Sequence, residues 1–171
     1  MGRYGTHMPT LLVLRHAAAR PSIRDRDRAL SEQGRREAQV AGRALAAVDT
    51  PEAALVSAAQ RAHETFAVAS EHGGWEAAAR VLEELYSGGV DDVLTAVGAH
   101  ASGADCLLLV GHQPWCGTLI EALTGARVRM ETGALASVQV GPSWDALDPA
   151  WCALRWFGPP RTLRALADAT A

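Results

Sequence analysis

Thr10-Leu11-Leu12-Val13-Leu14-Arg15-His16 and Cys106-Leu107-Leu108-Leu109-Val110-Gly111-His112 decide the fold. Each is a short, continuous apolar run that ends at a histidine. Runs this short and this uniformly apolar read as strands covered on both faces. Sheets of that kind are parallel and are covered by crossover helices, so helices are expected between the runs.

The rest of the chain supplies them. Ser31 suits the N-cap of a helix over Ser31–Ala47, where Ala38, Ala41, Leu45 and Val48 recur at helical spacing. Ala53–Ser57 reads as a second strand and Gln60–Glu71 as a helix stopped by Gly73-Gly74. Further strands are expected over Arg80–Leu85, Cys106–Val110, Ala134–Val140 and Cys152–Phe157. Further helices are expected over Val90–His100, Trp115–Leu123 (with Pro114 near its first turn) and Arg161–Ala169. The alternation predicts an α/β protein: a three-layer α/β/α sandwich with a mostly parallel central sheet. The last two strands are joined only by a loop, which points to one antiparallel member. One domain over residues 9–171 is expected, with residues 1–8 a disordered extension or a start-site or tag remnant.

Composition narrows the chemistry. The 171 residues contain 16 cations, all of them arginine. Without lysine there is no Schiff base, no lysine general base and no P-loop. Any bound anion must be held by guanidinium, imidazole, hydroxyl or backbone N–H. The net charge of −3 gives no basic excess for nucleic acid. No apolar run reaches membrane-spanning length and the N-terminus lacks a signal-peptide core, so a cytoplasmic protein is expected. The 3 cysteines (Cys106, Cys116, Cys152) never form C-x-x-C, which fits a reducing compartment and no zinc knuckle.

The two histidines stand just past the C-terminal ends of their strands, the edge where open α/β sheets bind ligands. Read separately, each could be an unrelated loop histidine; their matching positions favour one shared site. A metal site would want carboxylates beside the imidazoles. His16 instead follows Arg15, and the nearest acids, Asp25 and Asp27, are interleaved with Arg24, Arg26 and Arg28. Adjacent Arg15 and His16 form a donor set for a phosphoryl group, and a nearby guanidinium helps keep the imidazole neutral and nucleophilic. Arg61, in the first turn of a helix that follows a strand, adds a third anion-facing element, unless it is simply a solvated surface arginine. Rival nucleophiles fail. There is no G-x-S-x-G elbow. The positions where a cysteine phosphatase needs arginine are His112, Ala122 and Gly158 after Cys106, Cys116 and Cys152 respectively.

In this order, Leu14-Arg15-His16-Ala17, Ser57-x-x-x-Arg61, Leu82-Glu83-Glu84-Leu85-Tyr86-Ser87-Gly88 and Val110-Gly111-His112-Gln113-Pro114 resemble the histidine phosphatase, or phosphoglycerate-mutase-like, superfamily. Arg28-Ala29-Leu30-Ser31-Glu32-Gln33-Gly34-Arg35 is similar to the segment after the first motif in short members. The compact length most resembles the bacterial phosphohistidine phosphatases. Departures are Ala17 for a common glycine, Ser22 near an asparagine of mutase-like members, and Ala58 for a frequent proline or serine.

The resemblance implies His16 as the nucleophile that becomes phosphorylated, with Arg15, Arg61 and His112 holding the phosphoryl oxygens. It implies Glu84 as proton donor, with Glu83 the rival acid. The implied activity is a phosphatase that needs no cofactor or metal and works through a phosphohistidine intermediate. Its partner would be a phosphohistidine-containing protein or, alternatively, a small phosphorylated metabolite such as a sugar or nucleotide phosphate. A non-catalytic phosphate- or phosphoprotein-binding module is the alternative from another class.

Overall fold

The computed structural model describes residues 8–101, 103–144 and 147–169. Six strands form one sheet: β1 (Thr10–Arg15), β2 (Ala53–Ser57), β3 (Ala78–Leu82), β4 (Cys106–Gly111), β5 (Leu135–Gln139) and β6 (Ala153–Gly158). The helices are α1 (Glu32–Val48), α2 (Gln60–Gly73), α3 (Glu84–Ser87), α4 (Val90–His100), α5 (Trp115–Thr124) and α6 (Pro160–Ala169). The spatial order is β3-β2-β4-β1-β5-β6. β5 runs antiparallel to both of its neighbours, and β1, β2, β3 and β4 pair in parallel. The sheet is therefore mostly parallel with one reversed strand, as expected.

Alternation along the central strands sorts the core into two halves. Leu11, Val13, Leu107 and Leu109 pack with α4 and α5 through Val93, Val97, Leu119 and Ile120. Leu12, Leu14, Leu108 and Val110 face the other way, onto α1, α2 and α6 through Ala41, Leu45, Ala62 and Leu163. Both faces of β1 and β4 are thus dry, which is why neither strand shows a polar alternation. The arrangement is the expected three-layer sandwich. Gly42 lets α1 lie directly on α2, since a Cβ there would run into the carbonyl of Ala69.

Ser31 caps α1, its Oγ accepting from the N–H of Gly34 at 3.0 Å. Two boundaries differ from the sequence reading. The strand expected over Arg80–Leu85 ends at Leu82, and the chain turns into α3. Leu82 and Leu85 are three apart, and Leu85 is fully buried, so this segment follows the helical period there. At the N-terminus, Met8 is half-buried and its sulfur accepts from Gln139 Nε2 at 3.0 Å, so it belongs to the folded body; the rest of the expected extension lies outside the described residues.

The topology creates the crevice. β1 leaves the sheet toward α1 on one face, whereas β4 leaves toward α5 on the other. Adjacent parallel strands whose connections diverge open a cleft at their C-terminal ends. Arg15 is in register with Gly111, and His16 N–H donates to the Gly111 carbonyl at 2.9 Å. His16 and His112 therefore emerge side by side at that cleft.

Candidate active site

The imidazole rings of His16 and His112 lie with centroids 4.9 Å apart. Both residues are buried. His16 Nδ1 donates to the carbonyl of Ala17 at 2.9 Å. A carbonyl only accepts, so the proton sits on Nδ1 and the Nε2 lone pair faces the cleft. There Nε2 accepts from Arg61 Nε at 3.2 Å.

Arg61 reaches both histidines from the first turn of α2. Its side chain is buried, and its Nη2 donates to His112 Nδ1 at 3.3 Å. With Nδ1 accepting, the His112 proton sits on Nε2, which donates to Ser57 Oγ at 2.7 Å. Thr65 ties the elements together: its Oγ1 donates to the Arg61 carbonyl at 2.6 Å and accepts from Ala17 N–H at 3.0 Å. The C-terminal ends of β1, β2 and β4 and the start of α2 thus share one hydrogen-bonded cluster.

Arg15 flanks it. Its Nη1 donates to the Met130 carbonyl at 2.7 Å, while its buried Nε has no hydrogen-bond partner among the described residues. Its charge is felt by both imidazoles. Burial, followed by the charges of His112, Arg61 and Arg15, pushes His16 down to about 3 against the pull of the Ala17 carbonyl. Burial and then Arg61 push His112 down to about 4. The sequence reading credits a guanidinium with keeping His16 neutral; burial is the larger cause. Lowered this far, both imidazoles of the free site are neutral at pH 7. Burial raises the thiols of Cys106, Cys116 and Cys152, which makes them poor nucleophiles.

Two segments overhang the cleft. One is the 3-10 turn Asp25–Asp27 that follows β1. The other is α3. Asp25 accepts from Arg61 twice: its carbonyl from Nη1 at 2.6 Å and its Oδ2 from Nη2 at 2.9 Å. Tyr86 stands edge-on to His112, centroids 5.7 Å apart, and its hydroxyl donates to Asp25 Oδ2 at 3.3 Å. Arg26 pairs with Glu83 at 2.9 Å and lies 5.6 Å over the Tyr86 ring. Glu83, the rival acid, is thereby committed to an ion pair. Glu84 is exposed at the start of α3, and its carboxylate makes no hydrogen bond or ion pair among the described residues. The α3 turn is fixed from beneath: Trp115 Nε1 donates to the Leu85 carbonyl at 3.1 Å, and the Trp115 ring packs where a Gly111 side chain would stand.

The structure therefore unites His16, Arg61 and His112 through direct hydrogen bonds and sets Arg15 beside them. Sequence reasoning missed Ser57, Thr65 and Tyr86 as members of the site, and it weighed Asp25 only as a metal ligand. Among the described residues, no group of three or more His, Cys, Asp or Glu side chains could hold a metal ion. No helix among them is long and apolar enough to cross a membrane.

The profile of the histidine phosphatase superfamily (branch 1) matches residues 11–86, a span that holds Arg15, His16, Arg61 and Glu84. An uncharacterized protein of Mycobacterium tuberculosis is 33% identical over 162 residues, covering 86% of this chain and 100% of that one. The chain belongs to the histidine phosphatase superfamily. Among solved structures, a SixA phosphohistidine phosphatase candidate from Nakamurella multipartitia aligns with a TM-score of 0.81 at 30% identity, covering 89% of this chain and 96% of that one. The protein histidine phosphatase SixA in complex with tungstate aligns with a TM-score of 0.78 at 25% identity, covering 90% and 99%. This histidine phosphatase is thus an enzyme of the compact, SixA-like branch. Its site sets a neutral imidazole nitrogen beside guanidinium donors and a second imidazole, an arrangement suited to phosphoryl transfer.

Proposed function

We propose that this histidine phosphatase hydrolyses phosphohistidine on a partner protein, without a metal, through a phosphorylated His16. The observation that carries the proposal is the state of His16. Its Nδ1 proton is fixed on a backbone carbonyl, burial keeps the ring neutral, and Nε2 faces Arg61 and His112. In the first step Nε2 attacks phosphorus in line, forming a P–N bond as the bond to the leaving group breaks. Arg15, Arg61 and His112 hold the equatorial oxygens, and Glu84 supplies a proton to the leaving atom. In the second step water gives a proton back to Glu84 as it attacks phosphorus, the P–Nε2 bond breaks, and inorganic phosphate leaves with His16 and Glu84 restored.

Two things support a protein substrate. The SixA-type structures with which the chain shares 30% and 25% identity are named for phosphohistidine or for protein histidine. A departing imidazole also needs less acid help than an alkoxide, which fits an acid held as loosely as Glu84. General acid catalysis is worth about 10²–10⁴-fold, so Glu84→Gln should slow an alkyl phosphate within that range and a phosphohistidine peptide much less.

The test is a substrate panel of phosphohistidine peptide, phosphoserine peptide, and sugar and nucleotide phosphates, with and without EDTA. The highest kcat/KM is expected on the phosphohistidine peptide, unchanged by chelator. A preference for a sugar or nucleotide phosphate would move the assignment to small metabolites. Tight binding of phosphate or vanadate with no turnover of any member would leave only a binding module.

A further inference from the structure

The guanidinium of Arg61 has two working edges. The inner edge, Nε and one N–H of Nη2, faces His16 Nε2 and His112 Nδ1. The outer edge, Nη1 and the other N–H of Nη2, is held by Asp25 through its carbonyl and its carboxylate. A phosphoryl group on His16 would need the inner edge. The outer edge has no part in that contact, yet both of its bonds are short.

We infer that Asp25 is a positioning residue for phosphoryl transfer: it grips the outer edge of Arg61 so that the inner edge stays aimed between His16 and His112. The inference rests on the phosphatase reading of the site and deepens it. A long side chain reaching in from a helix N-terminus loses its aim unless something fixes its head group, and a small misplacement of a catalytic donor costs rate steeply. Asp25 is itself braced. Tyr86 donates to the same Oδ2, and Arg28 donates to Oδ1 at 3.4 Å. Arg26 clamps the neighbouring turn to Glu83. The brace therefore runs from the loop after β1, across Arg61, to the α3 turn seated on Trp115.

Burial works against the Asp25 charge, but its bonds to Arg61, helped by Arg28 and Tyr86, hold the carboxyl below the ordinary carboxylate range. At neutral pH it is an ionised acceptor facing an arginine, which suits holding better than proton donation. The Asp25 side chain is 55% exposed, so replacing it leaves no buried hole.

The experiment compares Asp25→Ala with Asp25→Asn in the full chain. Turnover of p-nitrophenyl phosphate is one readout. The other is solvent-exchange protection of the Arg61 Nε–H by NMR, which needs no activity. The alanine variant keeps only the backbone carbonyl on Arg61, so it should lose roughly 10- to 100-fold in kcat with little change in KM, and its Arg61 Nε–H should exchange clearly faster than in the wild type. The asparagine variant keeps an acceptor oxygen and should recover to within about 3-fold, with protection restored. Equal losses in both variants would mean that the charge itself is used. A faster alanine variant would make Asp25 an internal competitor for the anion. Unchanged kcat in the alanine variant, or Arg61 Nε–H protection that survives the alanine change, would remove the role. Each of these three overturns the inference. If the wild-type protein turned over no phosphoryl substrate at all, the phosphatase reading would fail. The exchange measurement would still decide whether Asp25 fixes Arg61.

Discussion

His16 and His112 occupy equivalent places, one residue past the ends of neighbouring parallel strands, yet they are wired differently. His16 is anchored through Nδ1 to a backbone carbonyl and offers Nε2 to the cleft. His112 is anchored through Nε2 to the Ser57 hydroxyl and offers Nδ1. A carbonyl can only accept, so His16 is locked in one tautomer. The same bond would support the positive ring of a His16 phosphorylated on Nε2, as the proposed mechanism requires. His112, anchored on a hydroxyl, can gain a proton on Nδ1 when an anion arrives and keep its anchor. Position alone makes the two interchangeable. On the proposed mechanism their anchors suit one ring to attack phosphorus and the other to carry an adjustable charge.

The largest effect should separate them directly. His16→Ala removes the attacking atom and should cut kcat by roughly 10⁴-fold or more. His112→Ala removes one oxyanion partner and should cost roughly 10²–10³-fold. Brief turnover of ³²P-labelled substrate should leave label on the protein after an alkaline quench and none after acid, as a phosphoramidate behaves. His112→Ala should retain that label and His16→Ala should lose it. The reverse pattern would exchange the two roles.

A smaller effect probes the His112 anchor. Ser57→Ala leaves His112 Nε2–H without its hydroxyl acceptor but keeps the ring in place. A drop in kcat of about 3- to 10-fold is expected, in line with the loss of one buried hydrogen bond. The loss should deepen as pH rises above 7, where protonating the ring is hardest and its supporting acceptor is gone. A flat pH response would mean that Ser57 only packs.

Much of the fold and of the site is legible in the sequence, though not this contrast. The two apolar runs, the Ser31 cap and the motif around Arg61 are local signals, and they placed β1, β4, α1 and α2 and the anion-facing ends correctly. What the chain hid is non-local. Asp25 lies in an arginine-rich loop whose alternating charges read as solvated surface, and only folding brings it against Arg61, 36 positions away. Tyr86 follows a run whose pattern reads as strand through Leu85, so the helical turn that points it at His112 does not show in the sequence. Its cause, the Trp115 indole beneath Leu85, sits on a distant helix. The anchors of the two histidines were equally invisible, because sequence gives the position of a ring and not which nitrogen carries its proton.

The smallest effect at pH 7 becomes the clearest in acid. Both imidazoles titrate near 6.5 in the unfolded chain, but burial lowers His16 to about 3 and His112 to about 4 in the folded one. Between those limits the unfolded chain binds more protons, so stability rises with pH. It should be fully present above about pH 6.5 and decline toward pH 4, with a slope approaching about 2.7 kcal/mol per pH unit for two histidines. Asp25 acts in the same direction but at lower pH, because its depressed carboxyl loses its contribution only as pH falls through its own folded value. Urea midpoints measured from pH 7 to pH 4.5 should therefore fall steeply in the wild type. Either histidine-to-alanine variant should show about half the slope, since one of the two protons is gone. Saturating phosphate should also flatten the curve, because an anion at the cleft favours the imidazolium of His112. If phosphate flattened the His112→Ala curve as much as the wild-type curve, the adjustable charge would belong to His16, and the division of labour drawn from the anchors would be wrong.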